Sequence, residues 1–180
     1  MDSARYLLDS GVLIQAHRFH YRFDFCAGFW DWLIEAHEAG LVFSLKKVQS
    51  EILDGGKADP LETWIQKLPN SFFLNESADP AMFSRYRELM VQVNNSNYTT
   101  TAKKDFASQK KADAFLVAYA KAKGFVIVTQ EKANPHRLNQ VKIPDIAKFQ
   151  GVTSIDTFQL MSFHAEETFR FLPKRKVIGV

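Results

Sequence analysis

Tyr6-Leu7-Leu8-Asp9-Ser10-Gly11-Val12-Leu13-Ile14 carries an apolar run to a single carboxylate, turns on Ser-Gly and resumes as an apolar run. The pattern predicts a buried first strand, Asp9 at its C-terminal edge, and a helix that begins at once. Ligands of open α/β sheets sit beyond the carboxyl ends of the strands. An unpaired buried carboxylate is costly, so Asp9 is a candidate for chemistry. The same residue also suits the N-cap of the helix that follows, and this stretch alone leaves both roles open.

Outward from it, strands and helices alternate. Val12 to Ala16 reads as a short helix. His17-Arg18-Phe19-His20-Tyr21-Arg22-Phe23-Asp24-Phe25 is an aromatic and basic connection, read as a loop folded onto its own rings, with stacking of RNA bases as the other use. His17 and His20 are spaced to share a helical face, but a metal site needs more ligands. Phe29, Trp30, Leu33, Ile34 and His37 recur at helical spacing as far as Gly40. Leu41 to Ser44 reads as a short strand. Ser44 then begins a helix with Leu45, Val48 and Ile52 as its stripe and Glu51 at the border, stopped by Gly55-Gly56. Pro60 opens a helix that buries Leu61, Trp64, Ile65 and Leu68. Phe72-Phe73-Leu74 is a peripheral strand, and Pro80 to Val93 a further helix.

The polar run Asn94 to Gln109 reads as the longest loop, a place where function often sits. Ser108 is expected to cap a helix over Gln109 to Lys123 that ends at Gly124. Its buried stripe is Ala112, Phe115, Leu116, Tyr119 and Ala120, and Asp113 lies in its first turns. Phe125-Val126-Ile127-Val128 is β-branched and apolar, as suits an interior parallel strand covered on both faces. Thr129-Gln130-Glu131 follows directly. Val141 to Asp145 approaches a short helix, Val152-Thr153 is an edge strand, and Ile155 to Phe163 closes the fold. The alternation predicts a three-layer α/β/α fold around a central, mainly parallel sheet of about four or five strands. The expected organisation is a single domain over residues 1–165 and a basic C-terminal tail over 166–180, with Lys174-Arg175-Lys176.

Composition agrees with one folded unit. Of 180 residues, 46% are hydrophobic and 13% aromatic, enough for a sizeable core. The net charge is +3 and the pI about 8.9, a mildly basic balance compatible with a nucleic-acid partner. The lone cysteine, Cys26, excludes an internal disulfide. No apolar run is long enough to span a membrane. The first residues lack the basic start and apolar stretch of a signal peptide, so a cytoplasmic location is expected.

Two strands end alike. Leu7-Leu8 delivers Asp9, and Val126 to Thr129 delivers Glu131. Two helices add Glu51 and Asp113 near their buried stripes. Four carboxylates converging on one cleft repel one another and need a cation or protons to coexist. Hard ions such as Mg²⁺ or Mn²⁺ suit an all-oxygen site, and pairs of such ions serve phosphodiester hydrolysis. Singly, each acid has an ordinary use: Asp113 at a helix N-terminus, Glu51 as a partner for Lys47, Glu131 as a loop charge.

The ordered set strand–Asp9, Ser44 to Leu53 with Glu51, Ala112-Asp113-Ala114, and Val128-Thr129-Gln130-Glu131 resembles a PIN domain. Phe29-Trp30-Asp31-Trp32-Leu33, Trp64-Ile65 and Lys142-Ile143-Pro144-Asp145 resemble, more narrowly, a toxin-related bacterial branch of PIN-like proteins. The resemblance runs from Tyr6 to about Phe163 and implies a PIN fold, divalent-metal-dependent ribonuclease activity and a toxin role beside a cognate antitoxin. It implies Asp9, Glu51, Asp113 and Glu131 as catalytic residues and metal ligands, with Ser10 and Thr129 in support. Two positions depart from the pattern. Gly11 stands where the family usually carries Asn or Ser, and Glu131 is one methylene longer than the usual Asp. Asp145 is an extra acid, read as peripheral or helix-capping.

The leading expectation is a ribonuclease with Mg²⁺ or Mn²⁺ that leaves a 5′-phosphate and a 3′-hydroxyl, because water rather than the ribose 2′-hydroxyl attacks. Lys103, Lys104, Lys110 and Lys111 are the candidates for holding the RNA backbone. The expected partners are an RNA substrate, a cognate antitoxin and a second copy of the chain, with no membrane. The aromatic surface from Phe19 to Trp32 suits a dimer or an antitoxin. The alternative is a PIN-like RNA- or protein-binding adaptor with weak or no catalysis. A phosphatase of the haloacid-dehalogenase type also begins strand–Asp, but needs a second acid where Gly11 stands.

Overall fold

A computed structural model describes residues 4–55 and 59–165. The basic tail over 166–180 and Gly56 of the expected Gly-Gly stop lie outside the described residues. The chain runs β1 (Tyr6–Leu8), α1 (Ser10–Gln15), α2 (Ala27–Glu38), β2 (Val42–Leu45), α3 (Lys46–Leu53), α4 (Pro60–Lys67), β3 (Phe73–Leu74) and α5 (Pro80–Asn95). It continues with α6 (Thr100–Phe106), α7 (Asp113–Lys123), β4 (Val126–Val128), α8 (Ile143–Phe149), β5 (Ser154–Ile155) and α9 (Thr157–His164).

The five strands form one sheet in the order β3-β2-β1-β4-β5. Every pair is parallel, so the expected three-layer α/β/α architecture holds. β1 lies in the middle, with Leu7 beside Phe43 on one side and Ile127 on the other. Leu7 and Leu8 are wholly buried, which is why β1 reads as an unbroken apolar run. After β1 the chain builds outward through β2 and β3, then crosses back to lay β4 and β5 on the opposite side. The strand order therefore reverses between β1 and β4, the kind of position at which open α/β sheets take their ligands. Asp9 and Thr129 are the first residues beyond those two ends.

The connection after α1 continues as a π-helical turn, Ala16–His20, and then folds down on its own rings as expected. Tyr21 stacks on Phe29 at 4.2 Å between centroids and Phe23 on Trp30 at 4.1 Å. The buried Trp30 Nε1–H donates to the Tyr21 carbonyl at 2.6 Å. His17 Nε2 lies 4.0 Å from Asp59 Oδ2, while the His20 ring packs on Phe158.

Several boundaries differ from expectation for tertiary reasons. Ser44 does not start a helix. It pairs with Phe73 in the sheet, and its buried hydroxyl donates to the Leu8 carbonyl at 2.7 Å. The run Asn94 to Gln109 is not one loop, because it contains α6. The Thr99 hydroxyl caps that helix by accepting from the Ala102 N–H, and the helix buries Ala102 and Phe106, four residues apart. α7 begins at Asp113 rather than Gln109, because Ser108 closes a turn: its hydroxyl accepts from the Lys110 N–H and its carbonyl from the Lys111 N–H. Residues 114 to 120 of α7 are buried all round rather than along one stripe, because α7 packs against α5, α8 and β4. The last strand lies two residues later than Val152-Thr153, since the Val152 N–H is taken by the Ala147 carbonyl closing α8.

Two glycines give opposite predictions. Gly124 ends α7 at φ +70, where a Cβ costs about 1 kcal/mol. Gly28 is exposed within α2 with open space around a built Cβ. Urea titration is expected to show Gly124→Ala less stable by about 1 kcal/mol and Gly28→Ala more stable by roughly half that.

Candidate functional site

Asp9 takes the N-cap position of α1 in extended backbone, yet its carboxylate makes no cap bond to that helix. Its N–H donates to the Val128 carbonyl at 3.0 Å, which ties it to the end of β4. Its Oδ2 accepts from the Thr129 hydroxyl at 2.9 Å and its Oδ1 from the Ser10 hydroxyl at 3.4 Å. Asp9 is 5% exposed. Burial pushes its carboxyl up to about 6, the Thr129 hydrogen bond opposes that, and the charges of Glu131 and Glu51 raise it again.

Glu51 rises from α3 and bridges two other helices. Its Oε1 lies 3.3 Å from the Ser10 hydroxyl, sharing that group's single proton with Asp9 Oδ1, and its Oε2 accepts from the Ala112 N–H at 3.1 Å, just before α7. The latter bond satisfies a donor that an α-helix cannot satisfy at its own start. Glu131 sits beyond β4, and its N–H donates to the Thr129 hydroxyl at 3.1 Å. Its carboxylate accepts from Lys142 Nζ and from the Ile143 N–H, each at 2.7 Å. The Thr129 hydroxyl thus receives from Glu131 and gives to Asp9, fixing the two acids relative to each other.

Asp113 is the first residue of α7 and half-buried. Among the described residues no group donates a hydrogen bond to its carboxylate. Burial, then the charges of Asp9, Glu131 and Glu51, push it up to about 7, with Lys111 opposing. The four acids named from the sequence are thus electrostatic neighbours, drawn from two strand ends and two helices. Lys142, which belongs to a quoted motif but carried no expected role, pairs with one of them, Glu131. Nothing in its spacing from Glu131 signalled the pair.

The donor set is all oxygen, the chemistry a hard divalent cation takes. Among the described residues, however, no three His, Cys, Asp or Glu side chains form a group that could hold a metal ion. The Glu51 and Glu131 oxygens are held by protein donors. A cation here would have to draw them away from Ala112 and Lys142. Thr129→Val, which keeps the side chain's shape, is expected to raise the Asp9 carboxyl further above its ordinary range, read by carboxyl-carbon NMR titration.

Asp145 lies outside this group and accepts from the Asn134 N–H at 2.8 Å, pinning the loop after Glu131. Lys103 donates to the carbonyls of Asn94 and Ser96 at 2.8 and 2.7 Å. Lys111 pairs with Asp105 at 2.5 Å. Lys104 and Lys110 are exposed. Residues 6–169 match the family model described as Domain of unknown function (DUF4411), and no curated protein matches the chain.

Proposed function

The chain belongs to the DUF4411 family, and we propose that it is a divalent-cation-dependent ribonuclease with Asp9, Glu51, Asp113 and Glu131 as its acidic site. One observation carries the reading. Four carboxylates crowd the reversal point of the sheet, and Asp113 stands among them with no hydrogen-bond donor among the described residues. An arrangement that lifts two carboxyls to about 6 and about 7 is poor for stability alone and suits a site that takes positive charge.

A bound Mg²⁺ or Mn²⁺ would supply polarisation of a phosphate and a water of lowered pKa. The chain's own residues fix where the acids stand. Thr129 orients Asp9, Ser10 spans Asp9 and Glu51, and Lys142 holds Glu131 at the rim. Lys104 and Lys110, which have no ion-pair partner among the described residues, are the lysines left to meet an RNA backbone. The PIN resemblance adds a cognate antitoxin and a second copy as partners, and the exposed rings of Phe19 and Phe25 offer apolar surface for either. Among the described residues no helix is long and apolar enough to cross a membrane.

A second reading, a binding adaptor without catalysis, is favoured by the protein donors that hold Glu51 and Glu131. The discriminating experiment is cleavage of a mixed RNA pool by wild type and Asp9→Asn with Mn²⁺, with Mg²⁺ and with chelator. Cutting that needs the cation and is lost in the variant supports the ribonuclease. RNA left intact with either metal, together with no divalent binding by calorimetry, gives the adaptor the lead.

A further inference from the structure

A cavity of about 880 Å³ opens between the C-terminal end of α5, the segment 96–98 and the start of the loop after Glu131, with α8 as its far wall. Its volume is that of a small-molecule site, about 300–1,000 Å³. It is contiguous with the acidic site by chain: Ala133 and Asp145 line it, Glu131 lies two residues before the first, and the Ile143 N–H that binds Glu131 lies two residues before the second. The walls are braced. Lys103 staples Asn94 and Ser96, the Asn134 N–H is held by Asp145, and the Thr99 N–H donates to the Leu138 carbonyl at 2.9 Å.

We propose that this cavity receives an unpaired nucleobase of the RNA strand whose phosphate lies at the four acids. The inference rests on the ribonuclease reading and adds a base-binding subsite to it. The chemistry of the wall is what a base requires. Tyr98 and Phe149 present rings, Phe149 being 71% exposed although it belongs to a well-packed helix. Every base has a π-face for such rings, so stacking admits single-stranded RNA broadly. Asn95 and Asn97 line the same space, and among the described residues no partner uses their amides. Each amide offers a donor and an acceptor, the pairing that a base edge presents. Lys148 supplies a cation for the adjoining phosphate.

The test walks one abasic nucleotide along a short single-stranded RNA and follows both binding, by fluorescence anisotropy with chelator present, and cutting, with Mn²⁺. Wild type and Phe149→Ala are compared, the ring being exposed enough for its removal to leave the fold intact. Abasic substitution at one position is expected to weaken wild-type binding by about tenfold. Phe149→Ala should bind the intact strand about tenfold more weakly and no longer distinguish the abasic one. If wild type cuts RNA and neither the abasic walk nor Phe149→Ala changes binding or cutting, the base pocket is wrong and the ribonuclease stands. If Phe149-dependent, base-dependent binding appears without cutting, the pocket stands and the ribonuclease reading fails. Failure to bind single-stranded RNA at all overturns the pocket.

Discussion

Asp113→Asn is expected to reduce metal-dependent RNA cleavage by about 100-fold or more and to make the cation-free protein more stable at pH 8. The two effects share one cause. Asp113 has no hydrogen-bond donor among the described residues and faces the charges of Asp9, Glu131 and Glu51. Its carboxyl is raised to about 7 from 3.8, so ionising it at pH 8 works against the fold. Raising a carboxyl's pKa by one corresponds to about 1.4 kcal/mol. Because Asp113 is only half-buried, screening by solvent reduces the gain from its neutralisation to about 1–2 kcal/mol. The amide keeps the shape and removes the charge, so activity falls while the thermal midpoint of the cation-free protein rises. A residue held for structure would lose stability on substitution. A lowered midpoint together with unchanged cleavage would remove Asp113 from the site.

Thermal stability of the cation-free wild type is expected to fall as the pH rises from about 5 to 8, and Mn²⁺ to restore it most strongly at pH 8. Asp9 and Asp113 have folded-state values of about 6 and about 7, above the 3.8 of the exposed carboxyl. Between 3.8 and those values the folded protein holds more protons than the unfolded chain, so stability declines with pH across that window and levels off above about 7. A cation that binds only the folded state at a hundred times its dissociation constant adds about 2.7 kcal/mol. At pH 5 the protonated carboxyls compete with it, and the gain shrinks. Differential scanning fluorimetry across pH, with chelator and with Mn²⁺, reads both trends. A flat pH profile, or one in which Mn²⁺ stabilises equally at every pH, would contradict a charge-crowded site at Asp9 and Asp113.

Much of the architecture was legible because it is written locally. Tyr6-Leu7-Leu8 before Asp9, the β-branched run before Thr129, and Gly124 after a helical stripe each announce an element from neighbours in sequence. The sheet class and the four acids follow from such signals and from their order. α6 was also signalled, by Thr99 and by Ala102 and Phe106 at a spacing of four, but the polar residues around them hid it.

What only the tertiary structure decided is how those pieces meet. Ser44 stays in the sheet because its hydroxyl finds the Leu8 carbonyl, 36 residues away. Glu51 reaches the Ala112 N–H across 61 residues and Thr129 reaches Asp9 across 120. Glu131 is held by Lys142, and the cavity lined by Asn97, Tyr98 and Phe149 exists only where α5 and α8 come together. Periodicity and capping act over a turn of helix or a step of strand, so they report which element a residue builds. A hydrogen bond between distant elements leaves no such period, and the partner of a buried polar group is fixed only when packing has brought the elements into contact.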